Sequence, residues 1–223
     1  MNHYALIVAG GSGKRMGTVI PKQFLELSGK PILMRTIERF LSFDASIKII
    51  IVLPEGQMGY WEELRIKHSF LIPCTALKGG SARFYSVKNG LEEIEDNSLV
   101  AIHDGVRPLV SIDTIKRCFD AAQKFGNAVP VISPADSIRM ITEQGNMPVN
   151  RQYLRIIQTP QVFDSKLIKK AYLQQYSPEF TDDASLLEKT GEAIHLVEGN
   201  RENLKITNPG DLAVAEALFN IIF

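Results

Sequence analysis

The sequence has few of the residues that hold proteins together covalently or through metal. Only two cysteines occur in 223 residues, Cys74 and Cys118, with no CxxC spacing. That excludes a disulfide framework and reads as two reduced thiols. The four histidines, His3, His68, His103 and His195, are scattered without the spacing of a zinc site. No apolar run approaches the roughly 20 residues of a membrane span. "MNHYALIVAGG" reaches glycine after a run too short for a signal-peptide core and has no cationic start, so the expected address is the cytoplasm. An excess of one charge is missing as well, since 25 Lys+Arg balance 25 Asp+Glu. A neutral chain argues against bulk nucleic-acid or anionic-membrane partners but leaves room for a local basic pocket. The usual hydrolytic constellations are also lacking: there is no G-x-S-x-G, no Cys/His pair and no close group of histidines.

What is present is a strand–helix alternation. "YALIVA" and "IKIIIVLP" are continuous apolar runs of strand length, as in strands buried on both faces. "FLIPCTAL", "SLVAIHD" and "NAVPVIS" read as further strands. Helices are expected after Pro31, over about Gln57–His68, from Ser81 as cap, and over "SIDTIKRCFDAAQKF" with Ser111 as cap. The implied fold class is α/β, a Rossmann-like three-layer, mostly parallel sheet. After about Ser133 the pattern changes. "DSIRMIT", "EQGNMPVN" and "YLRIIQTPQVF" read as extended runs joined by a Gly-Asn turn, an inserted β-hairpin arm over 134–158 of a single domain, 1–223. Two short helices around Ser165–Gln175 and Asp183–Lys189, a strand "AIHLVEG" and a last helix from about Asp211 complete the chain.

In open parallel sheets, reactive residues lie beyond the carboxyl ends of the strands. That rule selects the glycine loop after the first strand, Lys78–Gly80 after the third, and His103–Pro108 after the fourth, which should line one crevice. The loop "VAGGSGKRMGTVIPKQF" is neither common nucleotide fingerprint. Gly13-Lys14 is followed by Arg15 and preceded at the required place by Val8, so it is not a Walker A motif; Met16 replaces the third small residue of a dinucleotide loop, and no acid ends the second strand. What remains is a flexible turn with Lys14, Arg15 and Lys22 close by. Its backbone N–H groups and cations suit phosphate.

Several ordered segments then carry a resemblance: "AGGSGKRMG…PKQFLEL", "GG.AR..SV..GL", "HDGVRPLV", "PADSIR", "QTPQVF", "TDDASLLE" and "VEGNRENLKITNPGDLA". Together they span nearly the whole chain. They resemble the cytidylyltransferases of the glycosyltransferase-A-like nucleotidyltransferase fold, above all the 2-C-methyl-D-erythritol 4-phosphate cytidylyltransferase family. The resemblance implies an enzyme that joins CTP to a polyol phosphate and releases pyrophosphate, with Mg²⁺ as cofactor. A ribitol 5-phosphate enzyme of the same superfamily and a non-catalytic nucleotide-binding protein are the rival readings. It also implies roles. Arg15 and Lys22 stabilise the transition state, while Ala9, Gly10, Gly11, Gly13, Gly80 and Ser86 hold the nucleotide. Arg151, Lys205, Asp104, Arg107, Ser137, Thr159 and Thr181 position the acceptor, with Arg139 and Asp182 as weaker candidates, and Asp104 is the one candidate metal contact. Asp104 and Arg107 also have a plain reading as an ion pair at a turn, and Thr181 or Asp182 as a helix cap. In the resembled family the arm pairs two subunits, which implies a homodimer with Arg151 acting in trans. Departures are mild: Ser137 stands where threonine is usual, Gly105 where alanine is frequent, and Ser81 where aspartate can occur.

Overall fold

The computed structural model describes residues 1–10, 17 and 20–222. Its main sheet has eight strands. At its centre β1 (Asn2–Val8) lies parallel to both β4 (Lys48–Leu53) and β6 (Ser98–Asp104). β5 (Thr75–Lys78) extends it beyond β4. On the other side β11 (Gln161–Asp164) runs antiparallel between β6 and β7 (Asn127–Ile132), and β12 (Leu196–Glu198) lies parallel to β7. The small ladder β2 (Glu26–Leu27) and β3 (Lys30–Pro31) stands apart.

The apolar strands are buried on both faces because alternate residues serve two cores. Ala5 and Ile7 of β1 with Ile49, Ile51 and Leu53 of β4 join one cluster. Its other side is made by α1 (Ile32–Phe43), α2 (Met58–Lys67) and α4 (Ile112–Phe125), through Phe40, Trp61 and Phe119 among others. Tyr4, Leu6, Ile50 and Val52 face the opposite cluster. There α3 (Arg83–Glu92), α5 (Ser165–Ala171) and α6 (Asp183–Glu188) contribute Phe84, Val87, Ile168 and Leu186. Each such side chain stabilises the fold by about 1.5–3 kcal/mol. A third cluster, with Val106, Leu109 and Ile206, packs under α7 (Pro209–Ile222) and backs the site described below.

α4 begins at its expected cap. The Ser111 hydroxyl accepts from the Thr114 N–H, and Gly126 closes the helix at φ 85° with its N–H on the Ala122 carbonyl. Elsewhere the structure departs from expectation. Only Thr75, Ala76 and Leu77 of "FLIPCTAL" are strand; pairing with β4 begins at Thr75, and Phe70 packs instead against Trp61. Ala82, not Ser81, is the residue before α3, and it makes no side-chain cap.

The arm hairpin is β8 (Ile138–Thr142) with β9 (Gly145–Val149). Its turn is Glu143-Gln144, since Thr142 pairs Gly145, so the expected Gly-Asn pair lies within or beside the strand instead. The end of the arm also moves. β10 (Ile156–Ile157) already pairs with β7 of the main sheet, and "YLRIIQTPQVF" is divided between β10 and β11. Two separated ladders satisfy that segment's backbone where one run was expected.

Candidate functional site

Two cavities open at the carboxyl ends of β1, β5 and β6. The first, about 310 Å³, is lined by Val8, Ala9, Gly10, Lys22, Gln23, Gly80, Ser81, Ala82, Arg83, Ser86, Asp104, Val106 and Lys205. The second, about 250 Å³, is lined by Arg83, Asp104, Arg107, Ile157, Gln158, Thr159, Gln161, Thr181, Asp182 and Lys205. They share Arg83, Asp104 and Lys205. Residues of the three segments chosen by the strand-end rule therefore do meet in one crevice. Arg15, Gly11 and Gly13 lie outside the described residues.

The first cavity is built from backbone and small side chains. Gly80 is required by a close approach: a Cβ there would stand 2.3 Å from the Cβ of Tyr85. The Ser86 hydroxyl accepts from the Gly80 N–H at 3.1 Å and donates to the Ala82 carbonyl at 3.2 Å, which shapes the turn into α3. Ser86 thus acts first as a brace of the cavity wall. Lys22 opens a single helical turn, Lys22–Phe24, set by Pro21. Phe24 is buried edge-on against Tyr60, and the Gln23 amide donates to the Ala9 carbonyl at 2.9 Å. These anchors hold Lys22 at 8% exposure, with its ammonium donating to the Ile206 carbonyl at 3.2 Å. Lys205 arrives from far along the chain because Ile206 is buried and donates its N–H to the Val106 carbonyl. Lys22, Arg83 and Lys205 oppose one carboxylate, Asp104, on this wall. A cavity with that balance favours an anionic ligand.

Asp104 sits at the meeting point. Its Oδ2 lies 3.0 Å from Arg107 Nε and 3.1 Å from Lys205 Nζ. Burial alone would raise the carboxyl's pKa, but Lys205, Arg83 and Arg107 overcome this and hold it well below the usual carboxylate range. The turn ion pair and the cavity residue are thus the same group.

Behind it runs a buried relay. The Asp104 N–H donates to Thr159 Oγ1 at 3.1 Å, Thr159 Oγ1 lies 3.0 Å from His103 Nδ1, and His103 Nε2 lies 3.2 Å from the Arg107 carbonyl. The consistent assignment has Thr159 donating to Nδ1 and Nε2–H donating to the carbonyl. Burial is the main cause that pushes His103 down to about 4, so it is neutral at physiological pH.

The sign of the resulting pH dependence is fixed. The unfolded imidazole takes up its proton near 6.5 and the folded one only near 4, so stability falls as pH drops through that window. The full loss is about 3 kcal/mol. Urea unfolding from pH 7 to 4 should show this slope, and His103→Gln should flatten it. An equal slope in the variant would refute the assignment.

The remaining expected residues divide between wall, cap, rim and arm. Thr159 lines the second cavity, but its hydroxyl is spent on His103 and the Asp104 backbone, so it supports the wall and offers no free donor. Asp182 is a cap: its Oδ1 accepts from Ser185 in a capping box and its Oδ2 from Gln161. Thr181 is exposed at the cavity rim and caps nothing. Ser137, Arg139 and Arg151 line neither cavity of their own chain. Arg139 is tied across the hairpin to Asn146, and Arg151 donates to the Ala135 carbonyl. Arg83 and Gln23 were missed. Arg83 stands in "GG.AR..SV", but its partner Asp183 lies 100 residues away, and no local spacing links them.

No group of three or more His, Cys, Asp or Glu side chains among the described residues could cage a metal. Asp104 Oδ1 has no hydrogen-bond partner among them, which leaves one carboxylate oxygen available to a cation carried by a phosphate ligand. That donor set suits Mg²⁺ held mainly by substrate oxygens.

Comparison with known proteins agrees with this geometry. A sequence model described as IspD, 2-C-methyl-D-erythritol 4-phosphate cytidylyltransferase, matches residues 3–220. The Bacteroides fragilis protein of that name is 52% identical over 96% of this chain and 98% of its own length. The Phocaeicola vulgatus protein of that name is 50% identical over 98% of this chain and 100% of its own. The Thermus thermophilus crystal structure of that enzyme superposes with a TM-score of 0.78 at 31% identity, covering 99% of this chain and 100% of that one. A 4-diphosphocytidyl-2C-methyl-D-erythritol synthase from Anaerococcus prevotii gives 0.83 at 28%, covering 98% and 96%. The chain belongs to the 2-C-methyl-D-erythritol 4-phosphate cytidylyltransferase family.

Proposed function

We propose that this chain transfers CMP from CTP to 2-C-methyl-D-erythritol 4-phosphate. The products are 4-diphosphocytidyl-2-C-methyl-D-erythritol and pyrophosphate, a step of non-mevalonate isoprenoid precursor synthesis. Beside family membership, the observation that carries the reading is the pair of cavities joined at Arg83, Asp104 and Lys205. One has a backbone-lined wall suited to a nucleotide, and the other has polar walls suited to a small polyol phosphate.

An oxygen of the acceptor phosphate attacks the α-phosphorus, and the bond to the β-phosphate oxygen breaks with its electron pair leaving on pyrophosphate. The attacking oxygen is already anionic at neutral pH, so no general base is required. That agrees with a neutral His103 bonded behind the wall, away from proton-transfer work. Catalysis is then positioning plus charge stabilisation. Lys22, with Arg15, meets the charge on the phosphoryl group, while Lys205 and Arg107 frame the acceptor side. Asp104 Oδ1 is the candidate contact among the described residues for Mg²⁺, which would neutralise triphosphate oxygens when bound.

The reading includes a homodimer. Arm side chains Met140, Ile141 and Met147 and nearby Tyr153 are exposed apolar surface, Ile141 by 79% and Tyr153 by 84%. The Met140–Met147 pair across the hairpin, with Ile141 on its other face, suits a covering partner. Arg151 then serves the partner's second cavity. No helix among the described residues is long and apolar enough to cross a membrane, in keeping with a cytoplasmic enzyme.

The direct experiment is pyrophosphate release from CTP with methylerythritol phosphate or ribitol 5-phosphate. Release with the first acceptor, abolished by a chelator and restored by Mg²⁺, is the expected result. Preference for ribitol 5-phosphate would move the chain to the sister activity, and no release with either acceptor would leave a nucleotide-binding protein.

A further inference from the structure

We propose that Arg83 is a substrate-contacting residue of this reaction. In this role it grips the acceptor phosphate where the two cavities meet, and buried Asp183 and Tyr172 are its positioning residues. The inference rests on the functional reading above and extends it to a side chain that reading did not use.

Three of the described residues line both cavities, and Arg83 is the one that forms no direct ion pair with another of the three. Asp104 and Lys205 pair with each other. Arg83 is fastened from behind: its Nη1 and Nη2 donate to the two carboxylate oxygens of Asp183 at 2.7 and 2.6 Å. The Tyr172 hydroxyl donates to the same carboxylate at 2.5 Å.

Asp183 is fully buried, whereas the Arg83 side chain keeps 32% of its surface exposed. The guanidinium therefore stands between a sealed carboxylate and an open cavity. A guanidinium has five N–H donors in a fixed fork. Two are used on Asp183, and the other three have no acceptor among the described residues. Their plane is set by a two-point contact, so the donors are presented in one orientation at little entropic cost. A buried anion that served only to join α3 to α6 would not need a partner left one-third open to the site.

Charge logic agrees. Burial alone would lower the Arg83 pKa, but the Asp183 carboxylate more than offsets it, so the group stays cationic at every working pH. Fork-shaped cations of this kind match phosphate oxygens two at a time. At the junction, the anion that must be brought against the α-phosphorus is the acceptor's phosphate. Placing Arg83 on it lowers the repulsion between two anionic groups in the approach.

The test separates this role from a structural clamp. Removing Arg83 alone would strand a buried carboxylate and risk unfolding, so two other variants are used. Arg83→Lys keeps the charge and loses the fork. The double variant Arg83→Gln with Asp183→Asn removes both charges and leaves a neutral hydrogen-bonding pair. Each is measured for thermal unfolding, for kcat and KM with both substrates, and for calorimetric affinity toward CTP and toward methylerythritol phosphate.

The expected result is a double variant that unfolds at the wild-type temperature yet turns over about 100-fold more slowly. Its affinity for the acceptor should fall roughly tenfold, with that for CTP nearly unchanged. Arg83→Lys should show the same split, to a smaller extent. Tyr172→Phe should lower kcat without moving CTP affinity.

Wild-type kcat and acceptor affinity in a folded double variant would overturn the proposal and leave a structural clamp. If the double variant does not fold, wild-type values in Arg83→Lys would overturn it equally. If the unmodified chain binds both compounds but releases no pyrophosphate, the functional reading fails instead, and Arg83 is still judged by the acceptor affinities.

Discussion

Lys22→Ala is expected to lower kcat by about 100- to 1000-fold, the effect of losing one donor aimed at developing charge. The expectation rests on how Lys22 is held. Its turn is anchored by Phe24 against Tyr60 and by Gln23 on the Ala9 carbonyl, neither of which the substitution touches. The turn should therefore stay in place, with a modest loss of stability from the Ile206 carbonyl that the ammonium no longer meets. Lys22 is nearly buried, at 8% exposure, on a wall whose other charges among the described residues are Arg83, Asp104 and Lys205. A charge in so little water acts more strongly on a neighbouring phosphorus than one in bulk solvent. Because the charge grows during the reaction, kcat should fall more than CTP affinity. Steady-state kinetics with saturating CTP decide the matter. A loss of less than about threefold would remove Lys22 from the chemistry, and an equal rise in the KM for CTP at unchanged kcat would make it a ground-state binding residue.

Arg151→Ala is the second large effect, and the manner of its loss is the informative part. Arg151 is exposed, donates to the Ala135 carbonyl and lines neither cavity of its own chain. If it completes the partner's site, the variant alone should lose turnover by an amount comparable to Lys22→Ala. Mixed subunits should then recover it. In a symmetric dimer of one Lys22→Ala chain and one Arg151→Ala chain, one site receives both defects and the other receives none. Random mixing makes half the dimers mixed, so about a quarter of wild-type activity should return. Two inactive preparations are mixed, re-equilibrated and assayed for pyrophosphate release. Absence of recovery, with dimer exchange confirmed, would place Arg151 in its own chain's site or outside any site.

How much of the site was legible depends on how each residue is held. Ala9, Gly10, Gly80, Asp104 and Arg107 lie in the segments that the strand-end rule selects, where an apolar run, glycine and charge are a local signal, and the resemblance singled them out within those segments. Lys205 was found through its segment, although the contact that places it, the Ile206 N–H on Val106, could not be read from spacing. Thr159 entered through the resemblance alone, and a histidine 56 residues earlier in the chain consumes its hydroxyl. Asp182 had a competing reading as a cap, and the capping box decides for it.

Order of elements, two-sided burial of the central strands, the N-cap of α4 and the position of the crevice were determined by the sequence itself. Each depends on periodicity or composition within a few residues, which local sterics and hydrophobic burial translate directly into structure. Other features were decided only by the tertiary structure. The junction of two cavities at Arg83, the seating of that guanidinium on Asp183 and the neutral His103 behind Asp104 belong there. So does the assignment of "YLRIIQTPQVF" to the main sheet instead of the arm. These depend on which distant segments the folded core brings together. Burial then sets the strength and protonation of the charges that meet, and no spacing along one chain encodes that desolvation.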